Sequence, residues 1–226
     1  QRPSFCPAKQ LGERPELSRE VTQGVTRGVA AGVAVLLQAS TGHVLLTRRA
    51  STLSIFPNVW VPPGESHQGG LLDVGLRELE EETGLHLDEG TFSWRMLGLW
   101  ESIYPPMLSR GLPRRHHIVT YLLLLSTESH QQLEARMRPS ESEVSAYAWL
   151  EPRVLAAIAA AEDGAGSSGD TPSTLPATVS ITELSGGSSQ PTQLPTGTLL
   201  SVAPTTGRDV ERVSTGTKFA LGLWLQ

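Results

Sequence analysis

Glu78, Glu81 and Glu82 are the residues whose type and spacing point most directly to chemistry. They stand at i, i+3 and i+4 in Arg77-Glu78-Leu79-Glu80-Glu81-Glu82-Thr83-Gly84-Leu85, so on a helix their side chains share one face. Like charges at this spacing repel by roughly 0.2–0.5 kcal/mol per pair on an exposed helix. Oxygen ligands of one sign on a fixed helix suit a hard divalent cation, and Mg2+ characteristically takes one or two carboxylates together with substrate phosphates. A pyrophosphate facing three carboxylates alone is repelled. With Mg2+ or Mn2+ between them the repulsion becomes a bridge, and the metal orients a water and lowers its pKa. A glutamate not fully engaged by metal can then take the proton. A glutamate run on its own is more often a solvated face. The setting shifts that balance: Arg77 precedes the first glutamate, Gly84 follows the last, and a Gly/Pro loop with Trp60 leads in.

Other residues form a second rank. Glu141 and Glu143 precede an apolar run, and either could add a metal ligand or base, although a solvated loop position is the commoner origin. His116 and His117 follow Arg114 and Arg115, and alternation along a strand sends the two histidines to opposite faces. Arg48, Arg49, Arg114 and Arg115 could make a phosphate-facing patch, because guanidinium forks match phosphate oxygens, or could serve solubility. From these sets Arg48, Arg115, His117 and Glu143 are the substrate-binding candidates. Trp100 and Tyr104 could stack a base, with core packing the more common role for aromatics on strands. Cys6 reads as a bystander thiol near a terminus.

The elements that must position these groups follow from periodicity and breakers. Residues 33–37 and 43–47 read as two strands joined by a turn at Gly42. Ser51 to Gly70 is a loop punctuated by proline and glycine. A helix follows over Leu71–Thr83, with Leu72, Leu76 and Leu79 at helical spacing as its expected core face and Gly84 as its stop. Residues 92–100, 117–125 and 146–150 read as strands. Pro152 opens an alanine-rich helix that runs to Ala161. The expected organisation is a loose lead-in at 1–27, a catalytic domain at 28–162, a Gly/Ser/Thr/Pro-rich linker or insertion at 163–207, and an apolar, helix-like segment at 208–226.

Composition bounds the rest. The chain has 226 residues, 38% hydrophobic content and a net charge of −5, enough for one cored domain and without a global basic excess. A single cysteine excludes a disulfide framework within the chain. No apolar run approaches the roughly 18–20 residues of a membrane span, so no membrane partner is expected. An intracellular setting, cytoplasmic or in an organelle such as the peroxisome, is the expectation. The chain opens on Gln1, and further residues upstream are expected.

Arg77 to Leu85 resembles the second half of the Nudix box, Arg-Glu-apolar-any-Glu-Glu-any-Gly-apolar, at all nine positions. Trp60-Val61-Pro62-Pro63-Gly64 is similar to the family's approach to that box. Within the family the chain looks most like the vertebrate motif seventeen type. Leu45 to Ala50, Leu99-Trp100-Glu101-Ser102, Tyr104-Pro105-Pro106, His116 to Val119 and Val213 to Leu221 carry that likeness. The resemblance implies an α/β/α sandwich with a mixed β-sheet, Mg2+ or Mn2+ held by Glu78, Glu81 and Glu82, and hydrolysis of nucleoside diphosphates linked to another moiety. The implied partner is a capped RNA end, giving a methylated guanosine diphosphate, or a small NAD(H)- or CoA-type dinucleotide. Gly64, Arg77 and Gly84 are the supporting box positions. The box departs from the pattern in its first half, which is one residue short and places Gly69 where a glutamate belongs. That departure leaves an alternative: a Nudix fold that binds nucleotide or a partner with weakened catalysis.

Overall fold

The computed structural model describes residues 4, 6–13, 29–65, 69–161, 173–204, 206 and 210–226. Its centre is a mixed sheet. The strands are Ala30–Gln38 (β1), Val44–Arg49 (β2), Val59–Val61 (β3), Gly64–Glu65 (β4), Phe92–Tyr104 (β5), Arg115–Ser126 (β6), Val144–Leu150 (β7), Thr178–Ser185 (β8), Ser188–Pro195 (β9) and Arg212–Val213 (β10). The main path runs β5-β6-β1-β2-β7-β8-β9, with β3 and β10 branching from β2 and β4 pairing with β1. β1 and β6 run parallel in register from Ala30↔His117 to Gln38↔Leu125. The helices are Pro7–Gly12 (α1), Leu71–Thr83 (α2), His130–Arg136 (α3), Pro152–Ala160 (α4), Thr196–Leu200 (α5) and Thr215–Trp224 (α6).

β1 is covered on both faces, which is why its sequence is apolar throughout rather than alternating. Val33, Val35 and Leu37 face Val74 and Leu79 of α2 and Leu133 of α3. Ala34 and Leu36 face Val154, Leu155 and Ile158 of α4 and Leu221 of α6. The result is the expected α/β/α sandwich. No helix among the described residues is long and apolar enough to cross a membrane.

Three expectations need correction here. The core-facing stripe of α2 is Gly75, Glu78, Leu79 and Glu82, while Leu72 and Leu76 are only partly covered. Those four positions are themselves an i, i+3, i+4, i+7 set, so the glutamates sit on the sheet side and not opposite it. The stretch 163–207 is not a linker where it is described. β8 pairs with β7, β9 pairs with β8, and Val179, Ile181, Leu194, Leu199 and Leu200 are buried in the main core. Its few apolar residues alternate among Ser and Thr, and threonine favours strands, so composition misrepresents it. Residues 162–172 lie outside the described part. The lead-in is likewise not wholly loose: α1 is helical and buries Leu11, while residues 14–28 lie outside the described part.

Ile181→Ala tests the reassigned hairpin. Loss of a buried isoleucine side chain is expected to cost roughly 2–5 kcal/mol. Urea unfolding that shows a change of about 0.5 kcal/mol or less, the usual surface value, would return the segment to a linker.

Candidate active site

The site is built around Gly64. The chain leaves β3 through Pro62 and Pro63 and turns into β4, where Gly64 lies opposite Ala34 of β1. A Cβ at Gly64 would stand 2.1 Å from the Val33 carbonyl oxygen and 2.6 Å from Ala34 Cα. A side chain there would push β4 off β1. The freed backbone position lets the Gly64 N–H donate to Glu82 Oε1 at 3.0 Å. At the other end of α2, Gly84 takes φ +71° and donates its N–H to Glu80 at 2.7 Å, ending the helix one residue after Thr83.

Glu78 and Glu82 are 2% and 7% exposed, one turn apart on the stripe that faces the sheet. Burial pushes the Glu82 carboxyl up to about 8. The Gly64 amide and Arg49 oppose that rise, and the Glu143 and Glu78 carboxylates add to it. Glu81 points outward, its side chain 57% exposed and 3.8 Å from Arg77. Arg77 also lies 3.7 Å from Glu78. Among the described residues no three His, Cys, Asp or Glu side chains already converge as a metal cluster. The donor chemistry nevertheless suits a cation: buried carboxylates that repel one another are the charge a divalent ion offsets.

A cavity of 640 Å³ adjoins this point and shares Gly64 and Arg49 with it. Its floor is the start of β1, and its sides are the end of β5, the start of β6 and the first turn of α6. Arg115 and His117 both line it, as alternate residues on β6 must if they share a face. Burial, with Arg115 and His116 beside it, lowers the His117 pKa and favours the neutral ring. His116 faces the other way and pairs with Glu101 at 2.8 Å. Trp100 and Tyr104 line the cavity, although core packing is their commoner role. Cys6 is buried and part of the lining.

Arg48 is a correction. Its guanidinium donates to Ser145 at 3.0 Å, to Glu183 at 3.0 Å and to Glu211 at 3.2 Å, over the ring of Trp60. It ties β2 to β8 and to the C-terminal segment and does not line the cavity. Arg49 does. Two adjacent arginines on a strand must diverge, and the sequence holds nothing that says which one turns inward. Glu143 is exposed at the end of the loop before β7, close enough to act on Glu82 through charge. Glu141 accepts from the Gly187 amide at 2.6 Å. Phe56 and Arg212 are cavity residues that no sequence signal singled out, and Phe219 joins them from the Val213–Leu221 stretch. In the altered half of the box, Gly69 has φ +145° and Gly70 begins α2 with no side-chain cap. Residues 66–68 lie outside the described part.

Residues 26–168 match the NUDIX domain. The chain belongs to the Nudix hydrolase family. It is 58% identical to the m7GpppN-mRNA hydrolase NUDT17 of Homo sapiens, over all of this chain and 70% of that protein. It is 55% identical to the protein of that name from Xenopus laevis and 50% identical to the one from Danio rerio, over all of this chain and 74% and 76% of those proteins. This Nudix chain is a hydrolase of phosphoanhydride bonds, and Glu82 of its box is hydrogen-bonded to Gly64 in the cavity wall.

The raised Glu82 pKa gives a pH dependence of stability. Below the ordinary value of 4.5 both folded and unfolded chains hold the proton. Between 4.5 and about 8 the unfolded chain releases it first, so metal-free stability falls as pH rises and levels off above about 8. Glu82→Gln keeps an acceptor for Gly64 without that ionisation. In chelator its Tm gain over the parent is expected to be larger at pH 8 than at pH 5. Equal gains at both pH values would contradict the buried-acid description.

Proposed function

We propose that the chain hydrolyses a nucleoside diphosphate-linked phosphoanhydride, with the methylated cap of RNA as its first substrate, releasing a 7-methylguanosine diphosphate and a 5′-monophosphate end. The supporting observation is the buried Glu78–Glu82 pair, one hydrogen bond from the wall of a cavity large enough for a nucleotide. The three relatives, each an m7GpppN-mRNA hydrolase, support the cap as that substrate. NAD(H)- and CoA-type dinucleotides are the next substrates in order.

Mg2+ or Mn2+, held by Glu78 and Glu82 with Glu81 and Glu143 as further ligands, would supply the positive charge that offsets the phosphoryl oxygens and acidifies water. The remaining work belongs to the chain. Arg49 and Arg115 hold phosphate oxygens at the cavity mouth through their guanidinium forks. Glu82, kept in place by the Gly64 N–H, is poised to be ionised once the site carries positive charge. Glu78 or Glu82 accepts the proton of the attacking water. His117, shifted toward the neutral ring, can hydrogen-bond the phosphate without adding charge. As water adds to phosphorus the anhydride P–O bond breaks, and the leaving phosphate departs through the cavity.

A second reading is favoured by Gly69 at the glutamate position and by Arg77 pairing with Glu78 and Glu81 instead. There the chain binds nucleotide with weakened turnover. A panel of capped RNA, NADH and CoA with Mg2+ or Mn2+ separates the two. Turnover of capped RNA that falls roughly 100-fold or more in Glu82→Gln supports the hydrolase. Nucleotide binding with no turnover by the parent supports the weakened module.

A further inference from the structure

Phe56 stands out in the loop between β2 and β3. It holds φ +50°, and nearby Asn58 holds φ +60°. For a bulky side chain that left-handed backbone is a genuine outlier, and strain of this kind persists only where the surroundings enforce it. They do so here. Arg49 Nε donates to the Ile55 carbonyl at 3.1 Å, the Asn58 N–H donates to the Arg49 carbonyl at 3.1 Å, and the Val59 N–H reaches the Phe56 carbonyl at 3.4 Å. The strained turn delivers the Phe56 ring to the cavity, where it meets Tyr104 edge to face with centroids 4.9 Å apart. Arg49, which fixes the turn, is the same side chain whose charge acts on Glu82. The aromatic pair lines the cavity, and Arg49 in the same lining connects it to the Glu82 carboxylate behind Gly64.

We propose that Phe56 is a specificity-determining residue, forming with Tyr104 the wall on which the planar base of the substrate's nucleoside stacks while its phosphates lie toward Arg49. This rests on the nucleotide-hydrolase reading and extends it to the base. A ring face lining the cavity takes any base through its π-system and gives nothing to a bare pyrophosphate.

The test measures binding apart from turnover. Calorimetric Kd values are taken in Mg2+ for guanosine diphosphate and for inorganic pyrophosphate, on the parent, Phe56→Leu, Phe56→Tyr and Phe56→Gly. Phe56→Leu is expected to weaken guanosine diphosphate about ten-fold and to leave pyrophosphate within about two-fold of the parent. Phe56→Tyr retains the parent ratio. Phe56→Gly loses the nucleotide preference as Phe56→Leu does, yet keeps or raises Tm, because glycine adopts the left-handed turn without strain. Equal weakening of both ligands, no weakening of either, or a lowered Tm in Phe56→Gly with the ratio intact makes Phe56 a packing residue and overturns the proposal. A parent that shows the ratio shift but hydrolyses no capped RNA retains the stacking wall and rejects the cap. Capped-RNA turnover without the shift does the reverse.

Discussion

The rest of the site depends on the contact between β4 and β1. Gly64 passes the Val33 carbonyl so closely that no side chain fits between them, and this fixes where its amide points. That amide reaches Glu82, which α2 holds on the face turned toward the sheet. A carboxyl so placed is expensive to ionise unless positive charge is near. Arg49 supplies part of it and a bound cation would supply more. A core constraint on backbone approach thus becomes a constraint on chemistry, because the strand that forms the middle of the sandwich also sets the position of the acid.

The C-terminal segment joins the same arrangement from outside residues 26–168, the part that matches the domain family. β10 runs parallel to β3, pairing Arg212 with Val59 and Val213 with Trp60. Glu211 accepts from the Trp60 indole at 2.9 Å and from Arg48 at 3.2 Å, so the segment is pinned to the strand that leads into Gly64. α6 then comes so near β5 and β6 that a Cβ at Gly216 would meet the Tyr121 hydroxyl at 2.5 Å and Trp100 at 2.9 Å. Ser214 caps this helix by accepting from the Thr217 N–H at 3.1 Å. The cavity is therefore closed by a piece of chain that the catalytic box does not contain, and its shape can change without touching the carboxylates.

The elements were legible in the sequence where local rules act alone. α2 begins and ends where its periodicity and Gly84 place it, and β5, β6 and β7 contain the runs at 92–100, 117–125 and 146–150. The sequence was less informative where a tertiary choice overrides local pattern. Leucine is the natural core residue, so Leu72 and Leu76 outbid Glu78 and Glu82 on paper, yet the sheet side took the glutamates. The hairpin of β8 and β9 and the short helix after it read as filler because five buried apolar residues are diluted by serine and threonine. Arg48 and Arg49 are identical as letters, and only the bulge between them in the pairing of β2 with β7 separates a structural tie from a cavity residue. Phe56 has no motif at all, since its conformation is set by hydrogen bonds between the loop and Arg49 of β2.

The altered half of the box leaves the seating of α2 intact, and the reason lies in how that helix is held. Its first residue follows Gly70 without a side-chain cap, and its hold on the sheet comes from Val74, Leu79 and the close seat of Gly75 against Val35. None of those contacts uses the residue that a complete box would supply. Arg77 does feel the difference: it is half-exposed and lies 3.7 Å from Glu78 and 3.8 Å from Glu81, spacings of a surface ion pair that stabilises little. An arginine held against Glu81 keeps that carboxylate turned outward and competes for it with a cation. The helix is therefore wholly formed while Glu81, one of its three box glutamates, points outward.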